Sequence, residues 1–139
     1  MNGLAFFDTS ILIYADNAAT PAKQSRAIRL IKDHQRNGLA LISIQVMQEY
    51  FAAVTKKLGV DAELAQRKVE LLGRGKVVRL EAVDVIAAIE LHRLTRISSW
   101  DALIVHAARI AGAAVLYSED LPQGATLGGV PVVNPFLGG

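Results

Sequence analysis

Short apolar runs alternate with longer helical segments along this chain, and that alternation limits its fold more than any other feature. The runs at residues 4–7 and 113–117 are rich in apolar and aromatic residues and are too short to form helices. Strands that alternate with helices are typical of βα units around a mostly parallel sheet. We therefore expect an α/β fold, a three-layer α/β/α sandwich with a mostly parallel sheet of four to five strands.

Turn and capping residues locate the expected elements. Strands are predicted at residues 4–7, 39–42, 77–78 and 113–117, followed by an edge strand at residues 130–133, because Pro131 lacks the N–H that a central strand needs. Six helices are predicted, and Thr20, Ser43 and Asp61 are the expected N-caps of the second, third and fourth.

The composition fits a single domain with a core of its own. The 139 residues are expected to form one domain, in which 52% of residues are hydrophobic and 20% are charged. No apolar run reaches the length of about 20 residues that spans a bilayer. The start of the chain lacks the basic and apolar regions of a signal peptide. The absence of cysteine excludes disulfides and thiolate metal sites and suits a cytoplasmic protein.

Four acidic residues lie at or beside apolar elements. Asp8 and Asp120 follow the first and fourth predicted strands, Asp101 opens a nearly all-apolar helix, and Glu49 lies on the third helix. Carboxylates beside such segments are costly unless something holds them, and a divalent cation is the usual partner. Ligands collect at the carboxyl ends of parallel strands, so adjacent first and fourth strands would bring Asp8 and Asp120 to one crevice. The pattern predicts a metal site.

Each acid also has a purely structural explanation. Asp8 can cap the helix that follows it, and Asp120 can be a turn residue, with Glu119 beside it as a second candidate. Ser98 and Asp101 have the spacing of a capping box, which is compatible with metal binding by the same acid. Glu49 lies far from the apolar stripe of the third helix, where a solvated side chain is the default. That stripe consists of Ile44, Met47, Phe51, Val54 and Leu58.

Five segments together resemble the PIN-domain ribonucleases, and most closely the VapC-type toxins of bacterial and archaeal type II toxin–antitoxin pairs. They are FFDTSILIY (residues 6–14), SIQVMQEY (43–50), SSWDALIVHAA (98–108), LYSEDLPQG (116–124) and NPF (134–136). They occur in the order and spacing of that family over almost the whole chain. One departure is Pro122, at a position where the family usually has a polar residue.

The resemblance implies a fold, a site and partners. It places the first and fourth strands side by side and assigns Asp8, Glu49, Asp101 and Asp120 to the four acidic positions of the family. It assigns Ser10 to a small hydroxyl position that supports the first acid or positions water. It also implies a protein antitoxin that covers the acidic site, and a homodimer. We expect the apolar surface of the third and fourth helices to form one of these contacts.

These observations lead to a hypothesis for the reaction, which is the endonucleolytic hydrolysis of RNA phosphodiesters. Oxygen ligands without histidine or cysteine favour Mg²⁺ or Mn²⁺. Asp8, Asp101 and Asp120 would hold the metal, which activates a water, while Glu49 would orient or deprotonate that water. Lys56, Lys57, Arg93 and Arg96 are candidates for contacts with the RNA backbone, and scattered solvated charges are the alternative for each of them.

The charge balance is compatible with an RNA substrate. Fifteen Lys and Arg against thirteen Asp and Glu give a formal net charge of only +2. Assigning four acids to one site leaves the rest of the surface clearly basic, which is a better indication of a nucleic-acid partner than the total.

Other functions fit less well. A phosphatase that uses Asp8 as nucleophile would usually have a second Asp two residues later, where this chain has Ser10. The chain lacks a G-x-G-x-x-G motif after the first strand. His106 is expected to be a core or interface residue and not a catalyst. The remaining alternative is an inactive PIN-like module that acts by binding RNA or a protein.

Overall fold

A computed structural model describes residues 3–137, which form a central sheet between two groups of helices. The strands are β1 (Ala5–Phe7), β2 (Ala40–Ser43), β3 (Lys76–Val78), β4 (Val115–Tyr117), β5 (Thr126–Leu127) and β6 (Val130–Val133). Their order in the sheet is β3-β2-β1-β4-β6-β5. All pairs are parallel except β5 with β6.

The predicted type of sheet and the neighbouring positions of the first and fourth strands are confirmed. The prediction that residues 130–133 form the edge strand is wrong. β1 lies between β2 and β4, so the first and fourth strands are neighbours as expected. The sheet has a sixth strand, because β5 pairs antiparallel with β6 and displaces β6 from the edge. Pro131 is tolerated there because the β4–β6 register begins after it, at Val132, and because β5 is only two residues long.

Within residues 3–137, six helices flank the sheet: α1 (Thr9–Ala15), α2 (Pro21–Arg36), α3 (Ile44–Lys56), α4 (Ala62–Leu72), α5 (Ala82–Thr95) and α6 (Ser99–Ile110). α1 packs on α2 and α3, α3 packs on α4, and α5 packs on α6, which lies against β2, β4 and β6. Ser43 and Asp61 cap α3 and α4 as expected, each accepting a backbone N–H with its side-chain oxygen. Thr20 precedes Pro21 of α2, but its hydroxyl contacts Asn17 O (3.4 Å) and does not cap the helix.

The buried face of α3 differs from the expected stripe. Val46, Tyr50 and Val54 are its buried residues, whereas Ile44 and Phe51 are 39% and 37% exposed. Apolar residues occupy most of the circumference of this helix, so packing against the sheet and α1 selects the face. The buried face lies closer to Glu49 around the helix than the expected stripe does, and Glu49 is half-buried as a result.

The core lies on both sides of β1 and β4. Phe6, Phe7 and Leu116 from these strands and Ile104 and Val105 from α6 are almost fully buried. α6 is the most buried helix, as its apolar sequence predicted. In the described part of the chain, no helix is long and apolar enough to cross a membrane.

Candidate active site

The site begins where β1 and β4 end. Asp8 directly follows β1 and Asp120 lies three residues beyond Tyr117, the last residue of β4. Phe7 and Tyr117 are register partners, and the Asp8 N–H donates to Tyr117 O (3.0 Å), so the two chain segments leave the sheet together. The carboxyl ends of adjacent parallel strands therefore bring these two acids to one edge.

The Asp8 carboxyl is buried and hydrogen-bonded at both oxygens. It is 5% exposed, with Oδ1 accepting the Thr9 N–H (2.7 Å) and Oδ2 accepting the Ser118 hydroxyl (2.6 Å). The pKa of Asp8 is raised to about 6, mainly because the carboxyl is buried. The charges of Asp120 and Asp101 also raise this pKa, whereas the two hydrogen bonds lower it. Asp8 thus caps α1, as its structural explanation predicts, and the charges of Asp120 and Asp101 also act on its pKa.

Asp101 joins the group from the first turn of α6. Its N–H donates to Ser98 Oγ (3.0 Å), which makes Ser98 the N-cap of the helix. Burial raises the pKa of Asp101, a hydrogen bond with the Ser98 side chain lowers it, and the charges of Asp120 and Glu49 raise it further. The helix start therefore places this carboxyl within the field of the other acids.

Glu49 is held in place by two donors. Its Oε1 accepts the Thr9 hydroxyl (2.6 Å) and its Oε2 accepts the Gln45 side-chain amide (3.1 Å). Glu49 also acts on the pKa of Asp101, so it belongs to the acidic group and is not a freely solvated residue of a polar face. Thr9 also contacts Asp8, the residue before it in the chain, and therefore links Asp8 to Glu49.

Ser118 is a residue of the site that sequence reasoning missed. It is fully buried, donates to Asp8, and accepts the N–H groups of Asp120 (3.1 Å) and Leu121 (3.3 Å). One hydroxyl therefore fixes both the Asp8 carboxylate and the loop that carries Asp120. The available signal was a small hydroxyl residue directly after a strand and two residues before an acid.

Ser10 and Glu119 have roles beside the acids. Ser10 Oγ accepts the Glu119 N–H (3.4 Å), so it ties α1 to the β4 loop. The Glu119 carboxylate binds Lys23 (2.6 Å) and Tyr14 (2.6 Å). Although burial opposes the change, these hydrogen bonds lower the pKa of Glu119. The ambiguity between the neighbouring acids is resolved, since Asp120 and not Glu119 acts on Asp8 and Asp101.

Repulsion between carboxylates acts on two of these acids: the charges of Asp120 and Asp101 raise the pKa of Asp8, and those of Asp120 and Glu49 raise the pKa of Asp101. As the side chains of residues 3–137 are placed, no three acidic or histidine groups are close enough to hold one metal ion between them. The donor type nevertheless fits Mg²⁺ or Mn²⁺, because these ions prefer carboxylate oxygens and would offset the mutual repulsion.

The basic candidates lie at helix ends, and His106 has partners outside the four acids. Lys56, Lys57, Arg93 and Arg96 are exposed, at or just beyond the carboxyl ends of α3 and α5. His106 is 5% exposed and contacts Asp84 through Nε2 (2.9 Å) and Arg109 through Nδ1 (2.7 Å). His106 is therefore a satisfied core residue, as expected.

Comparison with known proteins identifies the family. Residues 5–122 match the family model described as PIN domain. VapC20 of Mycobacterium tuberculosis, a toxin that cleaves the sarcin-ricin loop, is 25% identical with a TM-score of 0.67, covering 84% of this chain and 89% of that chain. No curated protein sequence gave a significant match.

Two solved complexes share the fold. A toxin–antitoxin complex from Klebsiella pneumoniae matches with 20% identity and a TM-score of 0.67, over 95% of this chain and 98% of that chain. VapBC2 from Rickettsia felis, bound to a promoter DNA fragment, matches with 21% identity and a TM-score of 0.65, over 93% and 96%. The resemblance to VapC-type PIN domains found in the sequence is confirmed, and the chain belongs to the PIN domain family.

Proposed function

We propose that this protein is a Mg²⁺- or Mn²⁺-dependent endoribonuclease that hydrolyses RNA phosphodiesters. The observation that carries the proposal is the group of four carboxylates that α3 and α6 complete beside the ends of β1 and β4, in which burial and the neighbouring acids raise the pKa of Asp8 to about 6. Membership of the PIN domain family and the likeness to a toxin that cleaves the sarcin-ricin loop support it.

Asp8, Asp101 and Asp120 are the proposed metal ligands. A bound divalent ion at such a site supplies an activated water and neutralises charge on the phosphate. Thr9 and Gln45 would hold Glu49 oriented, so that its carboxylate can position the attacking water or accept its proton. Ser10 and Ser118 would keep the β4 loop, and with it Asp120, at a fixed distance from Asp8.

Binding of the RNA backbone is proposed for Lys56, Lys57, Arg93 and Arg96. All four side chains are exposed, as a phosphate contact requires. Arg96 lies in the connection between α5 and α6, and this connection leads directly to Ser98 and Asp101. It is therefore the strongest of these candidates.

We further propose that the chain is the toxin of a toxin–antitoxin pair in the cytoplasm, with a protein antitoxin as partner and a homodimer as its own state. The likeness to the toxin–antitoxin complex of K. pneumoniae and to VapBC2 supports the fold that this role needs. The alternative is an inactive PIN-like module that only binds RNA or protein. The presence of all four acids in one group favours the active enzyme.

Replacing Asp8 with Asn tests the proposal. Asp8→Asn removes a ligand charge but keeps the shape of the side chain, and we expect the rate of RNA cleavage in Mg²⁺ to fall at least about 100-fold. Glu119→Gln is the matched control, because this acid is on the same loop as Asp120 but is bound by Lys23 and Tyr14. The control is expected to keep its rate within a few-fold. Wild-type activity in Asp8→Asn would refute the mechanism.

A further inference from the structure

Trp100 is the only tryptophan of the chain, and it is exposed next to the acidic group. Trp100 is 66% exposed and occupies the second position of α6, directly before Asp101. A large aromatic ring in contact with water leaves much apolar area unburied, and such rings are common at binding surfaces. The proposed reaction does not otherwise use this residue.

A hollow of about 490 Å³ lies beside Trp100, between the start of α3, the end of β3, and helices α5 and α6. Ile44, Val85 and Leu103 contribute to its apolar wall. Gln48 and Arg79 add an amide and a guanidinium to the lining. An apolar wall with a few hydrogen-bonding groups and one positive charge matches a nucleotide, which has an aromatic base and an anionic phosphate.

Gln45 connects this hollow to the acidic group. Its side-chain nitrogen donates to Glu49 Oε2 (3.1 Å) and to the backbone oxygen of Trp100 (3.2 Å). The residue therefore fixes the start of α6 relative to a proposed reacting group and lines the hollow at the same time. A nucleotide bound there would place a neighbouring phosphodiester at the acids.

We propose that Trp100 and this hollow form a subsite for one base of single-stranded RNA next to the phosphodiester that is cut. The indole stacks on the base, the amides of Gln45 and Gln48 face its edge, and Arg79 attracts the phosphate backbone. This proposal rests on the proposed RNA substrate and adds the residue that holds a base. A protein surface covering Trp100 is the competing explanation.

Because Trp100 is the sole tryptophan, its fluorescence reports directly on the subsite. The Asp8→Asn protein is titrated with a single-stranded RNA octanucleotide and with an abasic octanucleotide that has the same phosphates. We expect saturable quenching with the first and much weaker quenching with the second. RNA binding observed by fluorescence anisotropy of a labelled octanucleotide, without any change in Trp100 emission, would overturn the proposal. Emission that depends on protein concentration and not on RNA would also overturn it.

Substitutions separate the subsite from the catalytic proposal. Trp100→Ala in the otherwise wild-type chain should raise KM for RNA about 5- to 100-fold, with kcat less affected, and Trp100→Phe should restore most of the loss. Leu137→Ala, a truncation of another exposed apolar side chain that has no assigned role, is the control and should have no effect. Normal KM in Trp100→Ala beside an active wild type would refute the subsite alone. Base-dependent quenching without cleavage by the wild type would support the subsite and refute the catalytic proposal.

Discussion

Thr9 contributes to two acids through different atoms, and its hydroxyl can be removed selectively. Its N–H contacts Asp8 and its hydroxyl donates to Glu49 at 2.6 Å. Thr9→Val keeps the shape of the side chain but leaves Glu49 without this donor, so we expect RNA cleavage to fall about 10- to 100-fold. Thr9→Ser keeps the hydroxyl and should retain most of the activity. Equal rates for the two variants would contradict a role for this hydrogen bond.

The raised pKa of Asp8 predicts how stability depends on pH and metal. Its folded pKa of about 6 lies above the ordinary value of 3.8, so the folded state favours the protonated form. The raised pKa contributes roughly 3 kcal/mol at most to the free energy of unfolding. This contribution is complete below about pH 4 and is lost as pH rises through 6. Without metal, the protein should therefore lose stability over this range, and Mg²⁺ should restore it most strongly above pH 6.

Thermal unfolding from pH 4 to 8, with chelator and with Mg²⁺, measures this effect. Other groups also titrate in this range, so the relevant quantity is the difference between wild type and Asp8→Asn. The variant should show a flatter pH dependence in chelator and a smaller stabilisation by Mg²⁺. An identical pH dependence in both proteins would show that Asp8 has an ordinary pKa.

At the scale of elements, the N-cap of α6 determines the position of an acid. Ser98→Ala removes the acceptor for the Asp101 N–H, and we expect the free energy of unfolding to fall by about 1 kcal/mol. Cleavage should fall as well, because the first turn of α6 carries Asp101. Ser99→Ala changes the next residue, inside the helix, and serves as the control. Denaturant unfolding and RNA cleavage are measured for both, and equal stability of the two variants would exclude the cap.

Elements with strong local signals could be predicted from the sequence, and those fixed by distant contacts could not. Ser43 and Asp61 mark helix starts by their own chemistry, so the starts of α3 and α4 were predicted correctly. β5 has only two residues and depends on pairing with β6 across Gly128 and Gly129, both at positive φ, so no periodicity reveals it. The buried face of α3 required knowledge of what packs on it.

The same distinction applies to the candidate site. Asp8 and Asp120 follow strands, so sheet geometry alone could bring them together. Glu49 was assigned only through the family resemblance, because its position on α3 indicated a solvated residue. Ser118 meets Asp8 over 110 residues of sequence, and only the register of β1 and β4 creates that contact.

For the whole molecule, the surface of α5 indicates where a second copy would bind. Val83, Ile86 and Leu94 are 70%, 66% and 76% exposed and lie on one face of α5 at helical spacing. This face exposes larger fractions than Phe51, Leu64 and Leu71 of α3 and α4, the surface expected from the sequence. We therefore assign the proposed homodimer contact to α5.

Ile86→Asp should weaken self-association by about 100-fold or more, because it places a charge in the centre of an apolar contact. Leu64→Asp on α4 is the matched control and should leave the dimer intact. Sedimentation velocity over a range of concentrations measures both. A dimer that is lost in the Leu64 variant and kept in the Ile86 variant would move the interface to α4.

The two ends of the sheet have a consequence for how this protein can meet other chains. One outer strand, β5, has two residues, and the other, β3, has three and begins with the exposed Lys76. Short strands with a charged residue give a poor template for intermolecular backbone pairing, which is the usual start of cross-β aggregation. We therefore expect partners to recognise side chains on the helices instead of extending the sheet, and we expect the concentrated protein to resist fibril formation.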